Sequence, residues 1–230
     1  SKDTISCPGK PIQFSNLSNG ISLAYTWNFG DTKIASDANP THLYGVDGNY
    51  DVKLLVTDMY GCKDSVTKPS YIKITMPVSA FTMSDSFSTC PPLVVSFKDI
   101  SNVYVSRKWD FGDGTFSTLS NPSHFYNYPG LYKVTLTITG PGGCIDVKEK
   151  TIEIRGPRGT FNYTPLKGCR DLKIDFKGTV LDKASFIWDF NDGTVISTND
   201  SLISHTYTHY GEYVPKMILV DPQGCQVPIT

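Results

Sequence analysis

Along residues 131–139, LYKVTLTIT, apolar side chains fall at every second position. Tyr132, Val134, Leu136 and Ile138 share one face, and Lys133, Thr135 and Thr137 the other. A period of two marks a strand with one buried face. The same alternation runs through LVVSFKDIS (93–101), where Val95 and Phe97 interleave with Ser96 and Lys98. It is weaker in IDVKEKTIEI (145–154), at Ile152 and Ile154. Polar turn clusters separate these runs, and no window carries the 3.6-residue stripe of an amphipathic helix. Six or seven short antiparallel strands in about 80 residues predict an all-β sandwich of immunoglobulin-like type.

The pattern occurs three times. YTWNFGDT (25–32), RKWDFGDG (107–114) and FIWDFNDG (186–193) each contain one of the chain's three tryptophans, Trp27, Trp109 and Trp188. Each is followed by a second shared block: NPTHLYGVDGNYDVKLLVTD (39–58), NPSHFYNYPGLYKVTLTIT (121–139) and SHTYTHYGEYVPKMILVD (204–221). Repetition at this period signals a tandem array. We expect three sandwiches in an elongated string: unit one over residues 1–76, unit two over 77–156 and unit three over 157–230. ITMPVSAFT (74–82) and IRGPRGTFN (154–162) join them, each with a proline and neither a flexible Gly/Ser spacer. Unit one has a short lead before its first cysteine, so its N-terminal strand is expected to be incomplete. Unit three lacks the closing strand supplied earlier by TKPSYIKIT and KEKTIEI.

Six cysteines, Cys7, Cys62, Cys90, Cys144, Cys169 and Cys225, place one before each tryptophan and one, preceded by glycine, after each second block. Within each unit the pair lies about 55 residues apart, which favours one disulfide per unit. The expected bridges are Cys7–Cys62, Cys90–Cys144 and Cys169–Cys225, in an oxidising compartment. The alternative is three pairs of buried thiols. No CxxC or His-x₃₋₅-His spacing supports zinc.

Composition narrows the function. The 230 residues carry 21 basic and 22 acidic side chains, with no Lys/Arg run long enough to track phosphates, so nucleic acid is not an expected partner. No stretch approaches 18 apolar residues, so no membrane insertion is expected from this segment. The chain begins abruptly at Ser1 without a leader pattern and reads as a piece of something longer.

The stretch KWDFGDGTFS (108–117) invites a catalytic reading. Its Asp110-Phe111-Gly112 would need a catalytic-loop His-Arg-Asp, a strand lysine and a glycine-rich loop to serve as a kinase metal loop, and none is present. Its acids lack the spacing of an EF-hand. A turn accounts for it better. Trp109 and Phe111, two apart, point inward, and Gly112-Asp113-Gly114 reverses the chain with the Asp carboxylate accepting backbone N–H groups. Asp31 and Asp192 repeat that role. His42, His124 and His205 each precede a Tyr by two residues. No nucleophile stands near them in the sequence, so each is expected to bind a neighbouring loop. Tyr50, Tyr132 and Tyr213 match the corner tyrosines of sandwich folds. No cofactor is expected; calcium near a domain join, with acids such as Asp85 and Asp146 as its candidates, is implied only by the family resemblance given next. Asn16, Asn162 and Asn199 begin Asn-x-Ser/Thr sequons, which occur often by chance.

Trp-Asp-Phe-Gly-Asp-Gly, then Pro-x-His-x-Tyr, then Gly-x-Tyr-x-Val-x-Leu resembles the polycystic kidney disease (PKD) domain, three times over nearly the whole chain. Unit two matches best, at Trp109 to Gly114, Pro122, His124, Tyr126, Gly130, Tyr132 and Val134. Unit one departs at Asn28 and Thr32, and unit three at Asn191 and by lacking a Pro before His205. The resemblance implies a β-sandwich and an extracellular, non-catalytic role as spacer repeats in adhesins or accessory modules of secreted enzymes. CPP before one strand and GC after another look like PKD arrays of Bacteroidota surface proteins used in gliding or adhesion. Implied partners are neighbouring domains of one long, monomeric chain and surface glycans or proteins. Tyr60, Tyr104, Phe116 and Tyr128 are the aromatics that would bind the latter.

Overall fold

A computed structural model describes residues 5–182 and 184–229; residues 1–4, Lys183 and Thr230 lie outside it, and with them the ends of units one and three. All regular structure among the described residues is strand. Three hydrophobic cores form, each around one tryptophan.

Unit two shows the plan. Ser106–Asp110, Gly130–Thr139 and Ile145–Ile154 make the centre of a five-stranded sheet, with Phe116–Ser117 and Phe87–Ser88 at its edges. Ser123–Tyr126, Leu93–Asp99 and Phe81–Met83 form the sheet that covers it. Trp109 pairs with Leu136 in antiparallel register. Both are fully buried, against Phe81 and Phe97 of the other sheet. The alternation set out above is what builds this core: Val134, Leu136 and Ile138 meet Val95 and Phe97 across it. Burying such side chains is worth roughly 1.5–3 kcal/mol each.

Units one and three repeat the plan with local changes. In unit one Ala24–Asn28, Gly48–Thr57 and Lys63–Ile74 carry the main sheet, and Pro11–Gln13 pairs with Thr41–Leu43 opposite. In unit three Ser185–Asp189, Lys216–Val220 and Gln226–Ile229 face Gly159–Thr164, Leu172–Val180 and Leu202–Tyr207. Gln226–Ile229 does supply an outer strand to unit three, four residues long where the other units use twelve and ten.

The disulfide pairing differs from the expectation. Cys7 bonds Cys144 and Cys90 bonds Cys225, while Cys62 and Cys169 are free and exposed. No bridge lies within a unit, and the sheet geometry gives the reason. Cys7 follows Ile5–Ser6, a strand that pairs in parallel with Lys73 and Ile74 at the far end of Lys63–Ile74. Cys62 stands just before the start of that twelve-residue strand. At ~3.3 Å per residue the two are held roughly 35–40 Å apart, where a disulfide needs Cα atoms within about 7 Å. Cys90 and Cys144 flank the ten-residue Ile145–Ile154 in the same way. Each unit thus has one cysteine at either end, and the ends that meet belong to neighbours.

Candidate functional site

Two features recur in all units: a turn after the tryptophan strand, and a joint between consecutive units. In the turn of unit two, Phe111 N–H donates to Thr115 O at 3.2 Å. Asp110 Oδ1 accepts from Gly112 N–H at 2.9 Å, and Asp113 Oδ1 accepts Thr115 N–H at 3.0 Å and its hydroxyl at 2.6 Å. Gly112 is required twice over: its φ is +81°, and a Cβ there would stand 2.7 Å from Lys133 O. Asp31 and Asp192 likewise accept Lys33 and Thr194 N–H, at 3.2 and 2.9 Å. The departures in the motif leave the turn intact, with Thr32 and Asn191 taking φ of +73° and +58°.

The second carboxylate oxygen of each turn Asp receives the imidazole. His42, His124 and His205 Nε2 lie 2.7, 2.6 and 2.7 Å from Asp31, Asp113 and Asp192 Oδ2. The carboxylate only accepts, so Nε2 carries the proton. Each ring stacks flat on Phe29, Phe111 or Phe190, with centroids 4.0–4.2 Å apart. Burial pushes the Asp113 carboxyl up, but hydrogen bonds from Thr115 and His124 outweigh it and leave the group below its ordinary value. Asp192 is lowered in the same way, by His205 and Thr194 against burial. Thr115 Oγ1 lies 3.4 Å from His124 Nε2, the nitrogen that already serves the aspartate. In a nucleophile–base–acid triad the acid and the nucleophile occupy different ring nitrogens. The group therefore lacks the arrangement of such a triad and ties a turn to the strand Ser123–Tyr126.

At the joint between units one and two, the Cys7–Cys144 bridge closes over a tight approach. Lys10 Nζ donates to Gly142 O at 3.4 Å, and a Cβ on Gly142 would lie 2.8 Å from the Ser6 carbonyl carbon. The joining segment is held as well. Thr75 N–H donates to Ser6 O at 3.1 Å, and Arg155 N–H repeats this on Ser88 O at 2.9 Å in the next joint. Ser79 N–H and Oγ both donate to Asp146 Oδ2, at 2.6 and 2.8 Å. These two bonds hold the Asp146 carboxyl below its usual range. The calcium candidate Asp146 is thus engaged by the segment entering unit two, while Asp85 is exposed. Among the described residues no group of three or more His, Cys, Asp or Glu could hold a metal ion.

A family model for the PKD domain matches residues 1–74 and 79–155. The chain belongs to the PKD domain family. Its curated relatives include the pre-pro-metalloprotease PrtV of Vibrio cholerae, 28% identical over 133 residues that cover 55% of this chain. Human polycystin-1 is 23% identical over 225 residues, 83% of this chain. The chain spans only 14% and 5% of those two proteins. The crystal structure of the PKD1 domain of PrtV is 32% identical and covers 36% of this chain and all of its own, with a TM-score of 0.31.

The remaining PKD motif residues serve the same framework. Trp27 and Trp109 Nε1–H donate to Asp37 and Leu119 carbonyls at 3.1 and 2.9 Å. Trp188 Nε1 is buried without a partner. Ten residues on from it, Thr198 is paired in a strand with Phe186, whereas Asp37 and Leu119 lie in loops. Tyr50, Tyr132 and Tyr213 hydroxyls donate to Val46, Tyr128 and His209 carbonyls four residues back, tying the corner loop. The sequence marks a tyrosine two residues after each motif histidine but assigns Tyr44, Tyr126 and Tyr207 no role; their buried hydroxyls donate to Phe29, Phe111 and Phe190 carbonyls at 3.0 Å. Burial raises all three phenols, Tyr207 to about 12, so they stay donors at physiological pH. The signal was present: each lies two residues after the motif histidine.

The exposed aromatics do not converge. Tyr60 sits in the turn at the outer end of unit one, and Tyr128 in the corner loop at the far end of unit two. Phe116 lies under Lys108 Nζ at 4.1 Å, and Tyr104 is half-buried against the Arg107 guanidinium at 4.9 Å.

Proposed function

We propose that this chain is a non-catalytic, extracellular stalk segment of a large surface protein or adhesin. It holds a functional module away from the cell surface and bears load. The supporting observation is the placement of both disulfides across joints. A disulfide within a domain stabilises that domain; one across a joint removes a hinge. With a linker peptide and a bridge at each joint, neighbouring units cannot swing freely, which is what a spacer needs and a flexible tether does not. Longest strands of twelve, ten and nine residues give the units lengths of about 30–40 Å. Three in line reach roughly 100 Å. Disulfides also fit an oxidising, extracellular setting. The CPP and GC placements support the finer reading, an adhesion or gliding protein of Bacteroidota type.

The test is small-angle scattering before and after reduction. The stalk reading expects a maximum dimension near 100 Å with a rod-like profile that broadens once the bridges are cut. A compact, folded-back particle in the oxidised state would overturn it.

A second reading, an accessory binding module of a secreted enzyme, is supported by the protease and collagenase relatives. It expects saturable binding to a glycan or protein that is lost when Tyr60 or Phe116 is replaced by Ala. A glycan array without hits, together with a rod-like profile, excludes it.

A further inference from the structure

The repeat makes the two free cysteines interpretable. Cys62 is the counterpart of Cys144 and Cys225: all three follow a glycine in the turn that opens the last long hairpin. In each turn the first residue's N–H donates to the cysteine carbonyl, at 3.0, 2.8 and 3.0 Å, and Gly61, Gly143 and Gly224 adopt φ of +86°, +80° and +86°. The Cys62 turn is therefore already in the shape the other two have when bridged. Cys169 is the counterpart of Cys7 and Cys90, each of which receives the turn of the following unit.

The surface around Cys169 matches this. A groove of about 600 Å³ lies between the Leu166–Leu172 segment and the corner loop His209–Pro215. The equivalent of the first segment in unit one presents Cys7 and Lys10 to the turn of unit two, and the corner loop there holds the joining segment, Asp47 Oδ2 accepting Met76 N–H at 3.2 Å. In unit two, Pro91 and Pro129 pack around Gly156, next to Cys225. Arg170 and Tyr210 hold those two positions in unit three and line the groove, with Tyr210 83% exposed. Unit three thus carries a socket like those filled in units one and two.

We propose that Cys169 and its groove are a socket for the Gly-Cys turn of another PKD unit of this kind, and that the Asp58–Cys62 turn plugs into such a socket. Tyr60 stands where Gly142 and Gln223 stand in the other turns; Gln223 shows that a side chain is accommodated there. The bond forms by loss of two electrons and two protons from the Cys62 and Cys169 thiols. A small-molecule disulfide takes them up and is cleaved to two thiols. The inference is independent of load bearing, because its test reads a bond and neither a length nor a ligand.

The experiment mixes Cys62→Ser and Cys169→Ser variants of the whole chain in a reduced/oxidised glutathione buffer. Products are resolved on a non-reducing gel and mapped by mass spectrometry. Both changes are at exposed positions, and mapping of intact Cys7–Cys144 and Cys90–Cys225 bridges checks the fold. The expected result is a Cys62–Cys169 heterodimer exceeding either homodimer by about tenfold, because docking raises the local thiol concentration. The unmodified chain should form a head-to-tail ladder. A statistical mixture of homo- and heterodimers overturns the proposal, and so does a chain that stays monomeric with both thiols free.

Discussion

At the scale of single residues, the turn after the tryptophan is sensitive in a graded way. Gly112 meets both a left-handed φ and the Lys133 backbone, whereas Gly114 has φ of +87° and open space around a Cβ. Gly112→Ala should cost about 2–4 kcal/mol and Gly114→Ala about 1 kcal/mol. Urea unfolding followed by Trp109 fluorescence, with Trp27 and Trp188 replaced by Phe, reads both. In unit one Thr32 bears the left-handed strain, so Thr32→Gly should raise that unit's midpoint, by up to ~1 kcal/mol. Acid acts on the same turn. Asp113 and Asp192 have folded pKa values below those of an unfolded Asp. Their stabilisation is fully present above about pH 4 and is lost as pH falls through the depressed folded values. Thermal midpoints of units two and three should therefore drop below pH 4, and Asp113→Asn should flatten that slope for unit two.

At the scale of elements, strands were legible in the chain and their ends were not. The alternation in 131–139 and the spacing of Trp109 and Phe111 name core residues directly, because a pleated strand has one geometry. The turn aspartates and corner tyrosines were legible for the same reason, since their partners lie within a few residues. The His–Asp link needed the fold, which brings His124 to Asp113 from a strand of the opposite sheet. The disulfides were misjudged because repetition makes every equivalent pair evenly spaced. The observed bridges span 137 and 135 residues, as constant as the separation within units. What decides between them is that a hairpin of ten or more residues carries its two ends apart, a length that spacing alone does not reveal. The segment entering unit two offers a check at this scale. Ser79 supplies both hydrogen bonds to Asp146 Oδ2, so Ser79→Ala should destabilise unit two by about 1–2 kcal/mol and speed amide exchange at residues 78–80.

At the scale of the molecule, the bridges reroute tension. Pulled from its ends, the oxidised chain transmits load from Cys7 to Cys144, back through unit two to Cys90, and on to Cys225. Units one and three form branches in parallel with it, closed where Thr75 N–H meets Ser6 O and where Gly156 lies beside Cys225, so they too are loaded once unit two opens. In single-molecule extension the oxidised protein should lengthen by no more than about 150 Å in total once its folded length is subtracted, the reach of the Cys90–Cys144 segment. Under reductant three releases of about 240 Å are expected. Releases of about 240 Å in the oxidised state would contradict the observed pairing. The two bridges also close loops, 7–144 and 90–225, that overlap through the middle of the chain. Every peptide bond between residues 7 and 225 falls inside at least one of them. A cut in the exposed segment around Leu17 and Ile21, or at any other point in that span, leaves the two halves covalently joined. Digested material should run as two pieces on a reducing gel and as one on a non-reducing gel, so a single nick does not sever the chain.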